Sequence, residues 1–190
     1  MSRAYRVRVT ESITETVRAE DGVCASLEML PILAKERMGD LLGAELERRG
    51  FRREGGTATR TDPDGTEISV DLATAQVTVK AAGSKEVRKT VDREVVADQD
   101  TGGPGRRAAE EHVRQGARAE LQQDAARERA KLSAEVTKQL ERKVVDLRRE
   151  LDQAVNRVTA DALKEKASSL GHIEEMTEDP NGGMTIKVRL

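Results

Sequence analysis

The 190 residues carry 33 basic and 35 acidic side chains, a formal net charge of −2, which excludes the global basic field that would gather nucleic acid. Hydrophobic and charged residues each make up 36%, with one Tyr (Tyr5), one Phe (Phe51) and no Trp, so the core is aliphatic and rings for base stacking or an aromatic cage are nearly absent. The single Cys24 excludes an intrachain disulfide and suits a reducing compartment; with no signal-like start and no apolar run near the ~20 residues of a membrane span, a cytoplasmic protein is expected.

Tyr5, Val7, Val9, Ile13 and Val17 share one parity, opposite Arg6, Arg8, Thr10, Thr14 and Thr16, the alternation of a half-buried strand. Glu11 and Glu15 fall on the apolar parity, which predicts a bulge, bend or sheet edge. Asp21-Gly22 is a turn dipeptide, and Val23, Ala25, Leu27 and Met29 resume the pattern, so a hairpin is expected there. Pro31 ends it. A helix follows over about 34–49, burying Met38, Leu41, Leu42 and Leu46 and stopping at Gly50. Short strands are expected over 51–54, 57–61 and 66–72, with Asp62-Pro63-Asp64-Gly65 as a turn, then over 77–81 and, more charged, 87–96. This reads as a small antiparallel-sheet domain with one packed helix over residues 1–98, expected to fold alone, and a Gly/Pro linker over 99–105.

Residues 106–170 read as one helix, with no Gly or Pro between Gly116 and Gly171. Leu140, Val144, Leu147, Leu151, Ala154 and Val158 recur at spacings of four and three, the heptad seam of a coiled coil. Upstream, Leu121, Ala125, Leu132 and Val136 are closer to an eleven-residue repeat. A straight helix over 117–169 spans roughly 80 Å, and the seam predicts self-association as a homodimer. Residues 171–190 close the chain as a β-hairpin turning at Asp179-Pro180-Asn181-Gly182. A hairpin of this size needs a surface to cover its apolar face. An unbroken helix would carry it away from its own N-terminal domain, which leaves a helix folded back on itself, a parallel dimer in which the two hairpins meet, or an antiparallel dimer with each hairpin on the partner's domain; of these the antiparallel pair is favoured. The fold class is α+β: the small domain, the long helix and the terminal hairpin.

The two ends echo each other. Leu46-Glu47-Arg48-Arg49-Gly50-Phe51 leads through the Asp-Pro-Asp-Gly turn to an alternating strand, and Ala167 to Ile173 leads through Asp-Pro-Asn-Gly to Met184–Leu190. The opening Tyr5-Arg6-Val7-Arg8-Val9-Thr10-Glu11-Ser12, the Leu30-Pro31-Ile32-Leu33 to Arg37-Met38 junction and the Arg49-Gly50-Phe51 helix exit resemble the small accessory domain of bacterial FtsH ternary systems. The Gly171–Leu190 unit is also similar to the closing strand pair of a family of small cyanobacterial and plastid proteins of unknown function. The first resemblance implies an accessory or adaptor role beside an AAA ATPase, and neither brings catalytic residues.

No enzyme and no cofactor is expected from the residues themselves. Asp62, Asp64 and Glu67 cluster at a turn that Pro and Gly already explain, and they lack the Ca²⁺-loop spacing, as do Glu178 and Asp179. His112 and His172 have no second ligand at metal spacing. Cys24 lies opposite the apolar parity with no neighbouring base. The Gly-Gly pairs at 55–56, 102–103 and 182–183 lack the flanks of a phosphate loop. Arg106-Arg107, Arg142-Lys143 and Arg148-Arg149 are interleaved with acids, as on a solvated helix face. The expected function is therefore a scaffold or adaptor with protein partners. The competing class is a nucleic-acid-associated protein using the charged helix as a rod.

Overall fold

A strand that is apolar on one side and polar on the other can run on for as long as something covers its apolar face. In the computed structural model, which describes residues 4–98, 106–178 and 184–189, two strands do so at length. β1 (Ala4–Ser26) and β5 (Gln76–Asp98) each run 23 residues. Between them lie α1 (Lys35–Arg48), β2 (Arg52–Glu54), β3 (Thr57–Thr61) and β4 (Glu67–Asp71). After them come α2 (Arg106–Leu170), β6 (His172–Glu178) and β7 (Met184–Arg189). The main sheet has the order β1-β5-β4-β3-β2, and β6 and β7 form a separate antiparallel pair. The class is α+β. The linker 99–105 and the turn over Asp179-Pro180-Asn181-Gly182 lie outside the described residues.

The chain divides into two compact units, neither continuous in sequence: Met1–Glu20 with Ala82–Val136, and Asp21–Ala81 with Thr137–Leu190. β1, β5 and α2 each contribute to both.

In the first unit, the odd-numbered side chains Val7, Val9 and Val17 of β1 and Val87 of β5 are buried with Val113, Ala117, Leu121, Leu132 and Val136 of α2. Glu11 and Glu15 share that parity without bending the strand. Glu11 meets Arg114 at 3.1 Å and Arg118 at 3.6 Å, and Glu15 meets Arg129 at 3.0 Å. Of the bulge, bend or sheet edge expected, the edge is what β1 is, and the two glutamates are met by ion pairs to the helix, which periodicity alone cannot reveal. β5 offers the reverse arrangement. Lys85, Lys89 and Arg93 pair with Glu128 (2.9 Å), Asp124 (4.0 Å) and Glu120 (2.6 Å), four residues apart on both elements and in opposite directions. β5 is not two strands, because Gly83 lets it pass close to α2: a Cβ there would lie 3.0 Å from Val136 Cγ2 and 3.1 Å from Leu132 Cδ1.

In the second unit, Ala58, Val70 and Val77 are cross-strand partners, as are Ile68 and Val79, and all are buried. Met38, Leu42 and Leu46 of α1 and Phe51 are buried in the same unit. Asp21-Gly22 is no turn; β1 runs straight through it. Asp21 Oδ2 accepts a hydrogen bond from Thr137 Oγ1 at 2.7 Å, and a Cβ on Gly22 would stand 3.1 Å from the Val79 carbonyl oxygen. The glycine serves close packing, and the expected hairpin is absent. Pairing with β5 persists to Leu27, whose N–H donates to the Ala75 carbonyl at 2.8 Å.

α1 and the end of α2 lie antiparallel, joined by Arg37 to Glu165 (2.9 Å) and by Arg49 Nη1 donating to the Glu150 carbonyl (3.2 Å). β6 and β7 pair Ile173 with Val188 and Met176 with Ile186. A Cβ on Gly171 would collide with the Arg189 carbonyl oxygen at 2.2 Å, so this glycine admits β7. Gly50, its counterpart in the echo, instead takes a φ of +84°, and there two strands rather than one precede the Asp-Pro-Asp-Gly turn. Met184 of β7 shares a pocket with Glu45, Arg48 and Arg49 of its own chain. The hairpin thus sits beside α1 within one chain.

Candidate functional site

The side chains at the end of the β1–β5 ribbon keep their alternation past the point where a helix covers them. Val23, Ala25 and Leu27 of β1 and Val77 and Val79 of β5 form the floor of a groove in the second unit. Val144, Leu147, Leu151 and Val155 of α2 form its wall. The groove has a volume of about 650 Å³, and its polar lining is confined to Ser26, Glu28, Arg148, Asp152 and Asn156. Val77, Val79, Leu147 and Leu151 are buried, whereas Val23 is 37% exposed and Val144 half-buried. It is an aliphatic trough with a charged rim, which is the chemistry of protein docking.

One ion cluster sets the rotation of α2 at this wall. Arg60 of β3 forks onto Glu150, Nη1 to Oε1 at 2.7 Å and Nη2 to Oε2 at 2.9 Å. Nη1 also donates to the Arg49 carbonyl at 3.0 Å, and the guanidinium lies 4.4 Å over the Phe51 ring. Arg60 Nε stands 2.8 Å from Asp62 Oδ1 but off the hydrogen-bond direction. The bonds from Arg60 hold the Glu150 carboxyl below its ordinary pKa against the opposing effect of burial, and Glu150 in turn raises Arg60. Since Glu150 lies between Leu147 and Leu151, this fork fixes which side chains face the groove. Nearby, Gln139 Nε2 donates to the Asp64 carbonyl at 3.0 Å.

The six seam positions fare unequally. Leu140, Leu147, Leu151, Ala154 and Val158 are buried with a single chain present, and Val144 is the one left half-buried, on the groove. Their burial needs no second helix. Asp62 and Asp64 are served by a cation of the protein itself: Lys143 pairs with Asp62 and lies 3.8 Å from Asp64. Asp64 Oδ1 also accepts the Thr66 N–H at 3.0 Å, and this bond holds its carboxyl below the ordinary value. Glu67 is exposed on the far side of β4. Cys24 is exposed, with Sγ 3.4 Å from Thr78 Oγ1. His112 and His172 are exposed on α2 and β6. Gly55-Gly56 turns β2 into β3; the other two pairs lie outside the described residues. No grouping of His, Cys, Asp and Glu suited to a metal occurs among the described residues, and no helix there is long and apolar enough to cross a membrane.

Sequence reading missed the groove and the Arg60–Glu150 fork. The first was legible as an apolar parity at Val23, Ala25 and Leu27 without a helix assigned to it. The fork joins residues ninety apart and leaves no local signal.

The model of one family, FtsH ternary system domain X5, matches residues 1–190, and the chain belongs to that family. No curated protein and no solved structure matches it.

Proposed function

We propose that this member of the FtsH ternary system domain X5 family is a non-catalytic adaptor, and that its groove takes an amphipathic helix from the system's FtsH-type ATPase. The observation that carries the reading is the groove itself: α1 and α2 cover part of one sheet face, and the strand ends carrying Val23, Ala25 and Leu27 remain beside α2 with aliphatic walls and an Arg148/Asp152 rim. A helix laid beside α2 continues the layer already formed by α1 and α2, a mode that reads i, i+3 and i+4 anchors. Family membership supports the choice of partner. A nucleic-acid rod is the weaker reading, since Arg114, Arg118, Arg129 and Lys143 of α2 are committed to carboxylates of the strands and turn.

The test is titration of the full chain against the purified ATPase of the same system. Val144→Asp and Val23→Glu place charges in the groove at positions with room for them. Each is expected to weaken binding at least about tenfold, about 1.4 kcal/mol, while far-UV dichroism stays that of the wild type. Wild-type affinity in both variants would rule out the groove. Steep salt-dependent binding to DNA in place of ATPase binding would favour the rod.

A further inference from the structure

We infer that two copies of this chain pair along the outer edge of β1, antiparallel and centred on Thr14. β1 is the outermost strand of its sheet, with β5 as its neighbour. Leu27 donates to Ala75, and the Thr10 hydroxyl reaches Asp92 at 2.5 Å, positions of one register. Opposite residues in an antiparallel pair either exchange both backbone bonds or neither, in alternation. Odd residues of β1 therefore direct their N–H and C=O groups at β5, and even residues direct theirs outward. From Arg8 to Glu20 every even side chain is also exposed, while every odd one is buried or half-buried.

Natural edges are guarded by proline, lysine, bulges, shortness or inward-pointing charges. Ala4–Ser26 contains no proline and no lysine and runs 23 residues. Its inward charges, Glu11 and Glu15, are already consumed by Arg114, Arg118 and Arg129. Neither proline, lysine nor shortness guards this edge.

Self-complementarity selects the occupant. Among antiparallel self-pairings centred from Ser12 to Thr16, the one at Thr14 alone opposes no like charges. Centring on Ser12 sets Arg6 against Arg18, on Ile13 sets Arg8 against Arg18, on Glu15 sets that residue against itself, and on Thr16 sets Glu11 against Asp21. With Thr14 at the centre, Arg8 faces Glu20 of the second copy, and by symmetry this pair occurs twice. Ser12 then faces Thr16, so hydroxyl residues fill the middle of the exposed face, a favourable cross-strand combination. The inference is independent of the groove and of the ATPase, because the strand segment from Arg8 to Glu20 lines neither.

Sedimentation of the full chain is expected to give a dimer at micromolar concentration. Thr14→Pro removes an outward N–H and no bond to β5, so it should yield a folded monomer with unchanged far-UV dichroism. Arg8→Glu should weaken the dimer roughly tenfold, since two repulsive pairs replace two attractive ones. Arg8→Glu with Glu20→Arg should restore it. Thr14→Cys in a Cys24→Ser background should form an interchain disulfide, because directly opposed Cα atoms about 5.5 Å apart fall in the bonding range. A wild-type monomer, a dimer that survives Thr14→Pro, or failure of the double exchange to rescue would each overturn the pairing.

Discussion

The Glu128 carboxyl is held well below its ordinary value, and the cause is local. Bonds first from Lys131 (2.8 Å) and then from Lys85 (2.9 Å) bring its pKa from the ordinary 4.5 down to about 2. A group that binds its proton less tightly when folded stabilises the fold above its unfolded pKa, and that help fades as the pH falls through the folded value. The first unit should therefore loosen between about pH 4.5 and 2, and Glu128→Gln should flatten the dependence over that window. Thermal scans at stepped pH check this; parallel curves for variant and wild type would remove Glu128 from the account. Glycines at the same scale show why residue type can mislead. Gly39 sits inside a helix, where alanine is favoured by about 1 kcal/mol. A Cβ there would stand 2.8 Å from the Leu72 carbonyl oxygen, so packing overrides propensity. Gly22 looks like a turn for the same reason and is not one.

At the scale of elements, most of the fold was legible. The α1 boundaries, the Gly50 stop, the short strands β2 to β4 and the unbroken α2 follow from periodicity and turn chemistry. What periodicity could not supply was the identity of the covering surface. A heptad seam reports that a helix buries one stripe, and a sheet can fill that stripe as well as a second helix. Leu147 is the sharpest test. Burying a leucine contributes about 1.5–3 kcal/mol, and a buried carboxylate without a partner adds a further cost. Leu147→Glu should lower the melting temperature by well over 5 °C and leave the mass of the folded species unchanged. A loss of mass with an intact fold would restore the seam as the contact between chains. β1 was misread as a hairpin on its Asp21-Gly22 dipeptide and β5 as two strands, because the ion pairs of Glu11, Glu15 and Lys85 with α2 join elements remote in sequence, where composition shows only scattered charge.

For the molecule as a whole, the interleaving of the two units decides what can stand alone. Residues 1–98 hold every strand of the main sheet, but its apolar face is completed in both units by α2. Without Leu132, Val136, Leu147 and Leu151, the valines at 17, 77, 79 and 87 lose their cover. A chain of residues 1–98 is expected to give no cooperative thermal transition and poorly dispersed amide resonances. A sharp transition would show that the sheet and α1 suffice.

The shared helix also imposes an order on biosynthesis. Every strand of the main sheet is translated before α2, so the nascent chain exposes the valine face of β1 and β5 until residues up to Leu170 have left the ribosome. For that interval the chain resembles a client of the quality-control machinery more than a finished protein. Its yield in the cell should then depend on holdase chaperones bridging the gap between the last strand and the helix that seals it.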